Sequence, residues 1–372
     1  MGYPGVSGVA RALVMNARLL VLSRYSRLGA SSRLRTLQYK PYIEAAGFEV
    51  EYAALFDDTY LQKFYSGQNK LLSLPAYYGK RVWQIRKKPD PSLIWIEYEA
   101  LPWLPFFLES ALFSRSIPII SDFDDAVFHR YDAHKLKFVR SLLGNKIDQI
   151  MKNSRLVMAG NTYLADRAHQ AGAANVEIVP TVVDLSLYPK LMQSGRKPSA
   201  QIGWIGTPNT WNAFGKRTFY TLKPLLEAQN SRFKAVGAGL VEKTKGALNI
   251  VPWSEETEVG QIRDMEIGIM PLSDTPWARG KCGYKLIQYM ACGLPVVASP
   301  VGVNAKIVEH GVNGFLAETD DDWHNAILTL MNDASLRRRM GEAGRKKVEE
   351  NYSLQTWGRR VAAMMQGVVR KA

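Results

Sequence analysis

The chain has 372 residues, 47% of them hydrophobic and 22% charged. That composition excludes disorder for the bulk of the chain, and the length suits two domains better than one. Forty-eight Lys and Arg against 34 Asp and Glu leave a net charge of +14, which favours phosphorylated ligands, an anionic membrane face or nucleic acid.

The only cysteines, Cys282 and Cys292, cannot build a disulfide framework, so a reducing compartment is expected. No uncharged apolar run is long enough to span a bilayer, and the N-terminus lacks the pattern of a secretory signal. The expected location is cytoplasmic, with peripheral attachment to the inner membrane face as an option.

In chain order, Met15 precedes the first strand, and residues 1–14 read as a disordered extension. Short apolar runs then alternate with helical patterns. In the first half the runs are Arg18–Ser23, Phe48–Ala53, Leu93–Glu97, Ile117–Ser121, Leu156–Gly160 and Val176–Val179. In the second half they are Gln201–Ile205, Phe233–Val236, Leu248–Val251, Ile267–Met270 and Val296–Ser299. Near-continuous apolar strands separated by helices predict parallel sheets covered on both faces: an α/β protein with two Rossmann-like domains around a cleft. The polar stretch Tyr188–Ser199 reads as the link between them.

The first strand enters a loop, Ser23 to Arg35, with four arginines and a glycine. Ser26, Arg27 and Gly29 are candidates to meet an acceptor across the cleft, while Ser31 or Ser32 can cap the helix that follows. The segment 71–88, LLSLPAYYGKRVWQIRKK, has apolar residues at helical spacing and five basic residues: Lys80, Arg81, Arg86, Lys87 and Lys88. It reads either as an amphipathic helix for an anionic membrane or as a packed helix with a solvated basic face, starting near Pro75. Asp122, Asp124 and Asp125 follow the fourth run. Paired aspartates suggest Mg²⁺, but bonds to sugar hydroxyls or helix caps suit them better, so no metal is expected.

The second half opens on a strand and a glycine turn, IGWIGTPNT, in which Gly206 and Thr207 sit where backbone amides can approach a phosphate. VGAG at Val236–Gly239 reads as a turn. The most informative segment is GKCGYKLIQYMACGLPVVASPVG, Gly280 to Gly302. A glycine loop opens a helix from about Tyr284 to Cys292, with its positive end toward the cleft. Lys281, Lys285 and Gln288 are spaced to share one face, and two ammonium groups beside a helix N-terminus suit a diphosphate. The bland alternative is a basic turn that merely caps a helix.

This segment resembles the donor-binding signature of family-4 retaining glycosyltransferases of GT-B fold. IVEHGVNGFLAETDDDWHNAILTLMND and MGEAGRKKVEENYSLQTWGRRV extend the resemblance, and AGNTYLADRA, IVPTVVD, WIGTPNT and VGAGL precede it in family order. The resemblance implies an acceptor domain over 1–187, a donor domain over 188–351 and a last helix, 352–372, crossing back to the first domain. It implies sugar transfer from a nucleotide diphosphate, UDP- or GDP-linked, to a glycan or lipid-linked acceptor, without metal or other cofactor. Lys281, Lys285, Asp122 and Asp125 become the expected catalytic residues. Gly206, Thr207, Asn209, Trp253, Asp274, Gly283, Tyr284 and Gln288 become the expected donor site.

The chain departs from the family where two glutamates stand in the pattern: here they are Gly280 and Gln288. Gln288 still offers an oxygen to ribose, so Gln288→Glu should be tolerated, and Asp274 is a substitute for the first glutamate. Thr207 replaces the family's Arg, with Lys216 a candidate for the loop's Lys. The departures keep open a non-catalytic relative that binds nucleotide-sugar as a partner subunit. A nicotinamide oxidoreductase would need a G-x-G-x-x-G after the first strand, which SRLGASS does not supply. No nucleic-acid-binding module supports a nucleic-acid partner.

Overall fold

A computed structural model describes residues 17–65, 74–87, 89–189, 202–239 and 246–371. The N-terminal extension and most of the expected link lie outside the described residues.

The first sheet has six strands: β1 (Ala17–Tyr25), β2 (Phe48–Phe56), β3 (Leu93–Glu97), β4 (Ile119–Phe123), β5 (Leu156–Ala159) and β6 (Val176–Ile178). The second has β7 (Ile202–Ile205), β8 (Phe233–Val236), β9 (Leu248–Val251), β10 (Ile267–Met270), β11 (Val296–Ala298) and β12 (Gly314–Leu316). The orders are β2-β1-β3-β4-β5-β6 and β12-β11-β10-β7-β8-β9. Every pairing between these strands is parallel. Both faces of each sheet are covered, which is why β3 and β5 are buried along their whole lengths.

The helix Leu354–Arg370 leaves the second domain and packs on the first, where Val361 and Met365 join Val21, Trp95 and Ile120 in one core. Among the described residues no helix is long and apolar enough to cross a membrane.

Two elements differ from the sequence reading. β12 was not expected: three residues led by a glycine carry too little apolar periodicity, and pairing with β11 makes the strand. β4 begins at Ile119 rather than Ile117. Pro118 has no N–H to give a ladder, so pairing starts beyond it. The shift draws Asp122 into the strand and leaves Asp124 and Asp125 at its carboxyl end.

Candidate functional site

The carboxyl ends of the two sheets face each other, and several bonds bridge them. Asn161 caps the helix Thr162–Gln170 through Leu164 N–H, and its amide nitrogen reaches Gly280 O at 2.9 Å and Lys281 O at 3.0 Å. Cys282 Sγ lies 3.1 Å from Asp124 O, and Lys281 Nζ 3.5 Å from Asp125 Oδ1. Arg27 grips Glu255 with two bonds, of 2.7 and 3.1 Å. Beside Asn161 a cavity of about 300 Å³ opens between Thr162, Tyr163 and Asp166 on one side and Asp274, Arg279 and Pro300–Val303 on the other.

On the second domain, the helix Tyr284–Ala291 begins after Gly283, whose φ of +67° is left-handed. A side chain there is strained, and its Cβ would meet Ile307 at 2.3 Å. Leu286 N–H already bonds Gly283 O at 2.9 Å, so the free donors of this turn are the Tyr284 and Lys285 amides, and this end carries partial positive charge. Lys285 lies in that turn. Its Nζ rests 4.7 Å from the centre of the Trp204 ring, and it makes no ion pair among the described residues. Burial, with Lys281 adding to it, pushes the Lys285 ammonium down to about 7, against a smaller opposing effect of Asp125. An anion placed at this point would supply the partner that the protein withholds.

Gly280, at the position of the family's first glutamate, packs against the first domain. A Cβ on it would meet Ala126 Cβ at 2.5 Å, so no larger residue fits this arrangement. Asp274 does not reach toward that position: Arg279 holds its carboxylate at 2.7 and 2.8 Å, which lowers the acid's pKa.

Gln288 is 3% exposed. Its amide nitrogen donates to Tyr188 Oη at 3.2 Å, and its side chain also faces the buried carboxylate of Glu258, opposing the upward push of burial on that acid. Glu258 accepts from Trp253 Nε1 at 2.8 Å, Arg33 lies 5.2 Å over the Trp253 ring, and the Tyr284 hydroxyl adjoins Tyr188. Trp253, Tyr284 and Gln288 thus belong to one network. Sequence reading missed Glu258, the acid at its centre. Its only signal was a position at the head of the helix Glu258–Arg263, which reads equally as a first-turn acid that stabilises the helix. Thr207 caps the turn Pro208–Thr210 by a reciprocal bond with Thr210, while Gly206, Thr207 and Asn209 line the rim after β7.

The first domain's expected residues divide. Asp125 faces Lys281. Asp122 is 2% exposed and bonded to Arg35 at 2.8 and 2.9 Å. Burial nonetheless raises its carboxyl to about 6, against the pull of Arg35. Its carboxylate is therefore taken up by a buried ion pair. Ser26 Oγ donates to Asp58, and Gly29 stacks on Tyr25, where a Cβ would meet Tyr25 Cβ at 2.4 Å. Ser31 makes no capping bond. Ser32 Oγ instead donates to Glu97 at 2.6 Å and accepts from Tyr25 N–H, so the expected cap serves as a tie between β1 and β3.

The expected amphipathic helix 71–88 is Leu74–Arg86, with 71–73 and Lys88 outside the described residues. Arg81, one of its five cations, is buried and donates to Ser23 O at 2.6 Å.

Residues 269–347 match the family of group 1 glycosyl transferases. N-acetyl-alpha-D-glucosaminyl L-malate synthase of Bacillus anthracis is 36% identical over 72 residues, 19% of each protein. The human alpha-1,3/1,6-mannosyltransferase ALG2 is 39% identical over 67 residues, 18% of this chain and 16% of that one. The matches thus span about a fifth of these relatives' lengths. Among solved structures, sucrose-phosphate synthase from Thermosynechococcus elongatus aligns over 95% of this chain and 99% of its own, with a TM-score of 0.72 and 15% identity. HepE from Anabaena, in complex with UDP and glucose, aligns over 94% and 100%, with a TM-score of 0.68 and 17% identity. The fold is GT-B. The chain is a two-domain GT-B protein whose second domain carries a segment of group 1 glycosyl transferase type.

Proposed function

We propose that the protein is a retaining glycosyltransferase, moving a sugar from a UDP- or GDP-linked donor to a hydroxyl of a glycan or lipid-linked acceptor. The observation that carries this reading is Lys285: a desolvated ammonium without an acidic partner, in the first turn of a helix that faces the opposite domain. The matched group 1 segment encloses it. HepE, bound to UDP-glucose in another structure, supports the donor class.

The chemistry follows from charge. Breaking the bond between the anomeric carbon and phosphate leaves the electron pair on the diphosphate, whose negative charge grows. Lys285, Lys281 and the first-turn amides hold that charge more strongly in the transition state than in the ground state, which accelerates the step. Asp125, on the facing edge, bonds a sugar or acceptor hydroxyl and orients Lys281. Asp122 acts through Arg35 as a positioning residue. Trp253, Tyr284 and Gln288 face the nucleoside, Gly206, Thr207 and Asn209 the rim of the donor site, and Arg27 the acceptor side. Fixed cations replace a metal, so turnover survives chelator.

A second reading, a non-catalytic binder of nucleotide-sugar, has one observation in its favour: Gly280 leaves the donor sugar without a carboxylate at that position, and Asp274 is occupied by Arg279. A panel of UDP- and GDP-sugars separates the two. Release of nucleoside diphosphate with an added hydroxyl acceptor, persisting in EDTA, supports transfer. Thermal stabilisation by the same nucleotides without any release supports the binder.

A further inference from the structure

Seven of the twelve large hydrophobic side chains exposed among the described residues lie on one flank of the first domain. Three pieces make it. The loop and short helix after β3 expose Trp103, Phe107 and Leu108. The helix Lys137–Leu143 and the residue before it expose Leu136, Phe138 and Leu142. The helix Leu74–Arg86 exposes Trp83.

Contacts join the pieces. Tyr78 donates to Pro102 O at 2.6 Å, and Arg86 to Ala111 O at 3.1 Å, which fixes the Leu74–Arg86 helix along the loop after β3. The Trp103 ring lies 5.9 Å from that of His134, which accepts from Leu136 N–H at 3.1 Å. The exposures are large: Phe138 is 74% accessible, Phe107 64% and Trp83 61%. Cations are interleaved with them. Lys135, Lys137 and Arg140 border Phe138, and Lys80, Arg86 and Lys87 border Trp83, Lys87 being paired with Glu51 at 3.1 Å; all six are exposed. The acids nearest Phe138 in the chain are committed: Asp132 pairs with His129 and Arg167, and Asp148 with Arg167.

We infer that this composite flank, wider than the helix 71–88 alone, docks the protein on an anionic lipid bilayer. The charge complementarity selects that occupant. Aromatic and leucine side chains enter the interface while the cations meet lipid phosphates. A second copy of the chain is disfavoured because it would bring like charges face to face. The loop carrying Trp103 follows β3 and the segment leading to Leu136 follows β4, so both leave the sheet edge that faces the donor domain. Docking therefore sets the acceptor side of the cleft at the membrane, and the acceptor class becomes a hydroxyl on a lipid-anchored glycan. This last step rests on the transferase reading; the docking itself does not.

The test is flotation of the full chain with phosphatidylcholine vesicles, alone and with phosphatidylglycerol. Binding is expected only with phosphatidylglycerol and should weaken with salt. Replacing Lys135, Lys137 and Arg140 with Ser should lower partitioning roughly 100-fold. Phe107→Ser with Phe138→Ser should lower it at least about tenfold. Tyr220→Ser, an exposed aromatic on the second domain, should leave it unchanged. Stabilisation by UDP or GDP should be the same in every variant. Absence of vesicle binding by the wild type overturns the proposal, as do variants that float like it or lipid-free self-association abolished by Phe138→Ser. Vesicle binding without any nucleotide response would overturn the transferase reading instead and leave the docking face standing.

Discussion

The facing edges of the two domains are both rich in charge and use it differently. On the first domain the most deeply buried charges are paired within the domain: Arg35 with Asp122, and Glu99 with Lys146 at 2.7 Å, with Glu109 3.1 Å from the same ammonium. On the second, Lys281 reaches across to Asp125, and Lys285 has only an aromatic face beneath it. Both edges are partly desolvated, so the difference lies in the partner. A buried charge with a built-in partner holds the fold. A half-buried, desolvated charge without one is kept there at a cost that a ligand can offset.

The sharpest way to break that contrast is to remove one side of the first domain's pair. Asp122→Ala leaves the Arg35 guanidinium buried without its carboxylate. Unfolding free energy should fall by about 3–5 kcal/mol. Thermal or urea denaturation measures it. A loss below about 1 kcal/mol would mean that Asp122 is not structural, and would return it to the candidates for chemistry.

Lys285→Ala is the matching change on the other edge, with the opposite signature. Stability should hold or rise, because a desolvated cation is removed, while turnover drops roughly 100- to 1000-fold. The wild type's pH dependence gives a second reading of the same group. With its free ammonium near 7, Lys285 is protonated below that pH both with and without donor, so donor affinity is flat there. Above 7, binding must take up a proton, and affinity should fall by up to about tenfold per pH unit until the bound-state pKa is reached. Calorimetry in buffers of different ionisation enthalpy detects that uptake. No proton uptake between pH 7 and 9 would place the diphosphate elsewhere.

The same contrast separates what the chain spelled out from what it concealed. Eleven of the twelve strands were legible because a parallel strand covered on both faces is apolar throughout, whatever its partners. The turn Gly280–Gly283 and the helix after it were legible from glycines, a lysine and an apolar stripe. Partner choice was not legible. Asp122 and Asp125 are three residues apart and of one type, yet one is buried against Arg35, 87 residues earlier, and the other faces Lys281. Only tertiary packing distinguishes them, and a two-residue shift in β4 decided which entered the strand. Glu258 escaped for the same reason: its importance comes from Trp253 and Gln288 converging on it.

That network revises the expectation that Gln288→Glu would be tolerated. Gln288 bonds Tyr188 and faces Glu258, so the substitution sets a second carboxylate beside a buried one whose pKa burial has already raised. Two adjacent carboxylates cannot both ionise cheaply, and one must keep its proton. The folded variant then binds an extra proton above the usual carboxylate range. Its stability relative to wild type should be near normal at pH 5 and fall by about 1–3 kcal/mol as pH rises to 8. Denaturation at the two pH values checks the sign. A pH-independent difference would mean that Gln288 does not face Glu258.

The smallest effect concerns the bridge between the domains at the cleft's outer end. Arg27 and Glu255 meet with two good bonds, but Arg27 keeps 66% of its side-chain surface in water. Exposed pairs of this kind contribute about 0.2–1 kcal/mol, less at high salt. Arg27→Ala should therefore leave the melting transition within about a degree or two of wild type. If Arg27 also meets the acceptor, its loss should raise acceptor KM while donor KM stays fixed, since no donor-facing group has moved. If it serves only to hold the domains together, both KM values should shift together and by less than about fivefold, the ceiling set by 1 kcal/mol. Steady-state kinetics with each substrate varied in turn distinguishes the two outcomes, and repetition at high salt should shrink the second but not the first.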